Sequence, residues 1–228
     1  MCGRFASPDE EDIVETFGVQ VVKGCAEASG NVAPTEVVSI VTDRLKDGQV
    51  VRKLRAARWG LVPSWTKALD NRNLMFNARA ETVLEKPSFR VAAARRRAVV
   101  PAWGYYEWAK SAGKGSTPYF LHPGDDHMLG FAGLYEWWRV PPGVAVKGAS
   151  DDGWLCSVTI MTRSATDELG EIHDRMPVVV PMDSLTEWLD PALTDPGQIA
   201  ELIASLPDPV LIQTQRSPTS GSIEKKSE

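Results

Sequence analysis

Cys2 is the first residue with chemistry to offer. Loss of an initiator Met ahead of a small residue leaves it at the N-terminus. An N-terminal Cys carries an α-amine and a thiol on adjacent carbons, with reference pKa values of about 7.7–8.0 and about 8.5. Both groups are then partly deprotonated near neutral pH. Toward an acyl group, the pair is a nucleophile that brings its own base. Toward an aldehyde, the amine forms a Schiff base and the thiol closes a five-membered thiazolidine. The alternative is a cysteine with no chemical role.

Glu107 is the second candidate. It lies in Trp103-Gly104-Tyr105-Tyr106-Glu107-Trp108, one carboxylate in an aromatic run. An apolar setting raises a carboxyl pKa toward neutrality and suits it to general acid–base work. A salt-bridged or rim Glu is the competing reading. His173, in Ile172-His173-Asp174-Arg175-Met176-Pro177, precedes an apolar run and has charged neighbours, so it can exchange a proton near pH 7. His122 and His127 flank a predicted turn and read as solvated. In Phe76-Asn77-Ala78-Arg79-Ala80-Glu81-Thr82, Asn77 offers a donor and an acceptor and Arg79 a fork of donors. As a lone string it reads as a helix capped by Asn77, with Arg79 and Glu81 on its surface. Trp59 and Trp65 lie in Arg58-Trp59-Gly60-Leu61-Val62-Pro63-Ser64-Trp65. Aromatics among cations suit single-stranded nucleic acid, where bases stack and phosphates pair, although most tryptophans are core residues.

These groups need a scaffold. Ser7 is a predicted cap for a helix over 8–17, with Pro8 first and three acids in the opening turn. Residues 37–42 and 50–55 are β-rich and flank Asp47-Gly48, a hairpin signal. Residues 98–108 read as one strand. Residues 119–121 and 128–134 flank a turn at 123–126. Buried strands are expected at 154–161 and 177–180, and helices at 184–189 and 198–206. Residues 140–153 read as a surface loop. Strands dominate and arrive in hairpins, which predicts an α+β fold: one domain over 1–215, mostly antiparallel β with a few peripheral helices. The polar segment 216–228 reads as a disordered tail.

Composition narrows the class. The chain has 228 residues, is 43% hydrophobic and carries a net charge of −5. A domain of that size buries roughly 70% of its unfolded surface and needs no disulfide or metal. Cys2, Cys25 and Cys156 are odd in number and widely spaced, which argues against a disulfide framework and a zinc set. No apolar run reaches the ~18 residues of a membrane span, and no secretory signal is recognisable. A reducing, cytoplasmic setting is expected. The charge is uneven. Between Arg44 and Arg97, Lys and Arg number 14 and Asp and Glu 4, a balance of +10; the remainder has 11 basic and 26 acidic residues, a balance of −15. Such a cluster reads as a solvated basic face or as a groove for an anionic polymer.

The ordered set says more than each part. Met1-Cys2-Gly3-Arg4-Phe5, Asn31-Val32-Ala33-Pro34, Trp59-Gly60-Leu61-Val62-Pro63-Ser64-Trp65, Asn77-Ala78-Arg79-Ala80-Glu81-Thr82, Gly104-Tyr105-Tyr106-Glu107-Trp108 and His173-Asp174-Arg175-Met176-Pro177 resemble the SRAP (SOS response-associated peptidase) family, from Cys2 to about Gln213. The resemblance implies a compact β-rich α+β domain with a basic DNA channel. It implies an activity: sensing abasic sites in single-stranded DNA and crosslinking to them as a thiazolidine through Cys2. By motif, Asn77 holds the α-amine or sugar hydroxyls, and Glu107 is the acid–base in ring opening and Schiff-base formation. His173 assists proton transfer at the opened sugar. Arg4 and Arg79 grip phosphates; Asn31, Pro34 and Trp65 lie near the strand and its stacked bases. Abasic single-stranded DNA is the implied partner, with no membrane, no metal, no organic cofactor and a monomeric state; a bacterial member would lie at the nucleoid. Some relatives have a second aromatic after Trp65, where this chain has Thr66, and the Val- and Asn-rich ending of relatives is replaced here. Two other readings stay open: a cysteine peptidase or amidase with Cys2 as nucleophile and His173 as base, and a non-covalent single-strand binding module.

Overall fold

The computed structural model describes residues 2–69, 74–110, 116–125, 127–165 and 172–218. The chain opens with β1 (Arg4–Ser7) and helix α1 (Glu10–Phe17). Asp9, not Ser7, caps α1: its carboxylate accepts the Asp12 N–H at 2.9 Å. Ser7 is the last residue of β1, and its hydroxyl accepts the Ser29 N–H at 3.0 Å. Acids at the first turn complement the positive end of the helix dipole, and Gly18 closes the other end at φ 62°. After β2 (Val21–Val22) and β3 (Ser29–Val32) comes the hairpin β4 (Val37–Lys46) and β5 (Gln49–Trp59). Its turn places Asp47 at φ 50° and Gly48 at φ 79°, the double positive φ that lets two long twisted strands meet through two residues.

Then follow β6 (Asn77–Arg79), α2 (Arg90–Arg95), β7 (Arg97–Ala102), β8 (Gly104–Lys110), β9 (Ser116–His122), β10 (Leu129–Arg139), β11 (Trp154–Ser164) and β12 (Arg175–Pro177). Helices α3 (Leu185–Leu189) and α4 (Pro196–Ser205) and strand β13 (Ile212–Gln215) complete the order. The smaller sheet runs β13-β9-β8-β1-β3 and is antiparallel throughout. The larger runs β12-β11-β10-β7-β4-β5-β2, with β6 beside β11. Strand β11 also pairs with β5, in parallel, at Ser157–Arg58 and Val158–Trp59, and this closes β4, β5, β7, β10 and β11 into a barrel. The architecture is the mostly antiparallel α+β domain expected, with parallel pairings at β2–β5, β5–β11 and β6–β11.

Several expectations are corrected. Residues 98–108 form two strands, β7 and β8, in different sheets. The break falls at Trp103, whose N–H bonds Ala6 O at 2.9 Å. Residues 119–121 and 128–134 also belong to different sheets and do not pair with each other. Asn77 starts a strand, not a helix. Of 177–180, only Pro177 is in a strand; the rest is buried coil, with a bridge from Val179 to Phe131. The tail beyond 218 lies outside the described residues.

Two cores explain why both faces of the larger sheet are apolar. On β4, Val41 faces a layer formed with Ile13 and Phe17 of α1, Trp188 of α3 and Ile199 and Leu202 of α4. Val38 and Ile40 face the opposite way, toward Phe5, Val32, Tyr105 and Leu121 of the smaller sheet. Each large side chain so buried contributes roughly 1.5–3 kcal/mol. Cys2 lies in this second core.

Candidate functional site

Strand pairing assembles the first part of the site. β1 and β8 are antiparallel with Arg4 opposite Tyr106 and Phe5 opposite Tyr105, which carries Cys2 to the Glu107 end of β8. Cys2 is 0% exposed and Glu107 4%. Burial pushes the Cys2 thiol well above its usual range, and the charge of Glu107 adds to this, opposed by the amino-terminal charge. A standing thiolate is therefore disfavoured, contrary to the partial deprotonation expected of an exposed cysteine. Burial likewise raises the Glu107 carboxyl, as anticipated from its aromatic surroundings; the amino-terminal charge pulls it back and the Asp174 carboxylate raises it further. Tyr105 is raised by burial and then by Cys2 and Glu107. These mutual influences place Cys2, Tyr105, Glu107 and Asp174 in one electrostatic neighbourhood.

The second part hangs on β11. Strand β6 runs parallel to it, with Asn77 level with Ile160 and Arg79 with Thr162. Asn77 Nδ2 donates to Ile160 O at 3.4 Å, and its Oδ1 is buried with no hydrogen-bond partner among the described residues. A buried amide oxygen of this kind is an acceptor ready for an ammonium or hydroxyl. Ile160 shares the core of Cys2, and so does Ile172, the residue before His173. His173 Nδ1 lies 3.0 Å from the Arg175 N–H and 2.8 Å from Asp174 Oδ1. One nitrogen cannot accept from the first and donate to the second at once. The neutral ring with its proton on Nε2 keeps the Arg175 contact; the protonated ring favours Asp174.

A pair that sequence reading left without a role ties these segments together. Arg175 donates to both Glu81 oxygens, at 2.6 and 2.9 Å, and to Thr162 O at 2.6 Å. The fork links the chain just after Asn77 to the chain just after His173. Glu81 and Arg175 are 94 residues apart, so no local pattern signals their union.

The proposed strand contacts form a looser set. Arg4 Nη1 donates to Asn31 Oδ1 at 3.0 Å, joining two of them across β1 and β3. Pro34 precedes Thr35, which holds φ 79° while its N–H bonds Trp59 O at 2.8 Å. Arg79 is exposed on β6. Trp65 is 66% exposed, and the following Thr66 is anchored through its carbonyl by Trp138 Nε1 at 2.7 Å. Trp59 is instead fully buried, with Nε1 on Phe76 O at 2.9 Å, and offers no face to a ligand. The basic stretch also divides. Arg97 is buried and held by the carbonyls of Trp188, Ala93, Asp190 and Leu193 at 2.7–3.0 Å. Arg52 grips Asp43, and Arg96 grips Glu136. Those cations hold the fold and are not available to a ligand. Cys25 and Cys156 are free thiols, and burial pushes Cys156 up to about 12. Among the described residues no group of three or more His, Cys, Asp or Glu could hold a metal ion, and no helix is long and apolar enough to cross a membrane.

Known proteins share this design. The chain is 36% identical over 207 residues to the abasic site processing protein YoqW of Bacillus subtilis, covering 89% of this chain and 86% of that one. It is 34% identical over 175 residues to the abasic site processing protein HMCES of Gallus gallus, whose length it matches over 49%. A crystal structure of a protein from Bordetella bronchiseptica superposes with a TM-score of 0.75 at 25% identity, over 95% of this chain and all of that one. The family model for SOS response associated peptidase (SRAP) matches residues 1–219. On this match and these relatives, the chain belongs to the SRAP family.

Proposed function

We propose that the protein processes abasic sites, capturing the lesion in single-stranded DNA as a thiazolidine on Cys2 once Met1 is removed. The observation that carries this reading is the meeting of Cys2 with a carboxyl whose pKa burial raises, Glu107 on the neighbouring strand. The relatives named abasic site processing proteins support it.

The chemistry balances without a cofactor. A ring-opened abasic sugar presents an aldehyde. The α-amine of Cys2 adds to its carbon, and the carbinolamine loses water to give an imine. Glu107, whose acid form burial favours, delivers a proton to the departing oxygen. The thiol then adds to the imine carbon and its proton passes to nitrogen, closing the ring. In this reading Asn77 Oδ1 accepts from the amine or a sugar hydroxyl, and His173 relays a proton at the opened sugar. Arg4, Asn31, Pro34, Trp65 and Arg79 hold the strand. Hydrolysis of an added peptide calls for a thiolate, which the burial of Cys2 opposes.

Mixing the protein with a single strand holding one abasic site, then running a denaturing gel, tests the reading. A heat-stable adduct that disappears in Cys2→Ala is expected. No adduct with the wild type, or one that survives Cys2→Ala, refutes covalent capture. Cys2-dependent turnover of an added peptide, with no adduct, supports the peptidase reading instead.

A further inference from the structure

The barrel has a second chemically distinctive region along β11. Cys156 feels the charges of Arg55 and Arg44. It lies four residues before Ile160, the partner of Asn77, and so about 13 Å along the strand. Residues 135, 137 and 139 of β10 share one face there, with Trp137 paired to Cys156 and Arg139 to Trp154. Three arginines lie over three rings on that face. Arg44 is 5.4 Å from the Tyr135 centroid, Arg55 5.7 Å from Trp137 and Arg139 5.4 Å from Trp154. Tyr135 is 1% exposed and belongs to the core, and Trp137 packs against that core, so the ring open to a base is Trp154, 39% exposed.

Lysines crowd the same region. Burial and the charges of Arg55, Lys23, Lys46 and Arg44 hold the Lys53 ammonium below its usual range. Among the described residues no carboxylate pairs with Lys23, Arg44, Lys46, Lys53 or Arg55: Asp43 is taken by Arg52 and Glu136 by Arg96. Arg55 Nε is buried with no hydrogen-bond partner. Five cations held together without counter-charge cost folding energy, and an anion relieves that cost. Arg44 and Lys46 on β4, and Lys53 and Arg55 on β5, each repeat every second residue, about 6.7 Å apart. A flexible polymer with one charge per repeat and a flat ring beside each charge fits that spacing and those aromatics better than a folded acidic surface does.

We infer that this basic–aromatic strip is a second nucleic-acid contact, which holds phosphates and stacks bases of a single strand some nucleotides away from the lesion. The inference rests on the proposed capture of abasic DNA and extends it. The strip sets how tightly a long strand is held, while the Cys2 site carries the chemistry.

The test compares two abasic strands, one of about five nucleotides, near the short end of the 4–16 nucleotides of typical single-strand sites, and one of about 25, beyond their long end. Half-saturation of crosslinking is measured across a salt series for the wild type and for Lys23→Gln/Lys46→Gln/Lys53→Gln. These lysines take no part in the Cys2 site, and circular dichroism with thermal melting confirms the fold. The wild type should half-saturate at a lower concentration on the long strand. The triple variant should lose about tenfold on the long strand and nothing on the short one, and its slope of log affinity against log salt should flatten by about 2 units. Trp154→Ala should weaken the long strand alone. An unchanged long-strand affinity in the triple variant overturns the inference, as it would if the strip received an acidic protein. Equal losses on both strands overturn it too. Absence of any adduct with the wild type strikes the capture reading alone; anisotropy with an intact strand of about 25 nucleotides then decides the strip, by the same comparison of variants.

Discussion

Glu107 shows how a single side chain takes its chemistry from its surroundings. Its aromatic neighbours announced burial; in the structure the Asp174 charge acts on Glu107, and the Glu107 charge acts on the Cys2 thiol. Because its native pKa lies above the unfolded one, the folded state binds the extra proton, and that contribution fades as pH rises through the native value. Crosslinking should slow on the alkaline side as the acid form is lost. Glu107→Gln should lower the single-turnover rate by about 10²-fold and abolish that alkaline limb. A wild-type rate flat from pH 5 to 9 would remove Glu107 as the acid. Glu81 runs the other way. The Arg175 guanidinium holds its carboxyl down to about 2, so its contribution is present above the unfolded value and is lost as pH falls from about 4.5 toward 2. Glu81 is half-exposed while Arg175 is largely buried, so solvent screens part of the pair. Melting temperature followed over this interval should fall more steeply in the wild type than in Glu81→Gln; matching slopes would show that the fork adds nothing to stability.

Elements decide where those residues meet, and here local signals misled. β7 and β8 read as one apolar strand because both faces of both strands are buried, so no period marks a break. The break depends on packing. A Cβ on Gly104 would meet Leu121 O at 2.5 Å and the Phe120 ring at 2.6 Å. Only glycine lets β8 leave the barrel and lie against β9. Gly104→Ala should therefore cost about 1–3 kcal/mol, seen as a lower urea midpoint with an unchanged slope; an unaltered midpoint would show that β8 has room to shift. Thr35 marks the turn that carries Pro34. A β-branched residue at φ 79° is strained by about 1–3 kcal/mol. Thr35→Gly should raise the midpoint despite the greater freedom of glycine in the unfolded chain. A lower midpoint would mean that the Thr35 side chain offsets the strain.

At the scale of the whole molecule, the uneven charge serves two ends. Some of the basic stretch is structural: Arg97 joins α2, α3 and the chain after α3 through carbonyl oxygens. Arg97→Met should leave those oxygens without a donor and cost about 3 kcal/mol or more by urea titration; a loss below 1 kcal/mol would show that water replaces it. The remainder reaches solvent, as Arg79 on β6 and as Arg44, Lys46 and Lys53 of the β4–β5 hairpin. Strands β4 and β5, which carry the outward cations of the hairpin, also build the core through Val38, Ile40, Val41, Leu54 and Ala57.

The chemistry-bearing residues, the β-rich antiparallel class, the β4–β5 hairpin and the late helices could be read from the chain, because each depends on residue type or on near neighbours. Strand partnership could not. The sharing of 98–108 between two sheets, the parallel seat of Asn77 beside Ile160, the Glu81–Arg175 fork and the burial of Trp59 all depend on contacts between segments far apart in sequence. Such contacts are selected by the packing of two cores at once, and no local period encodes them.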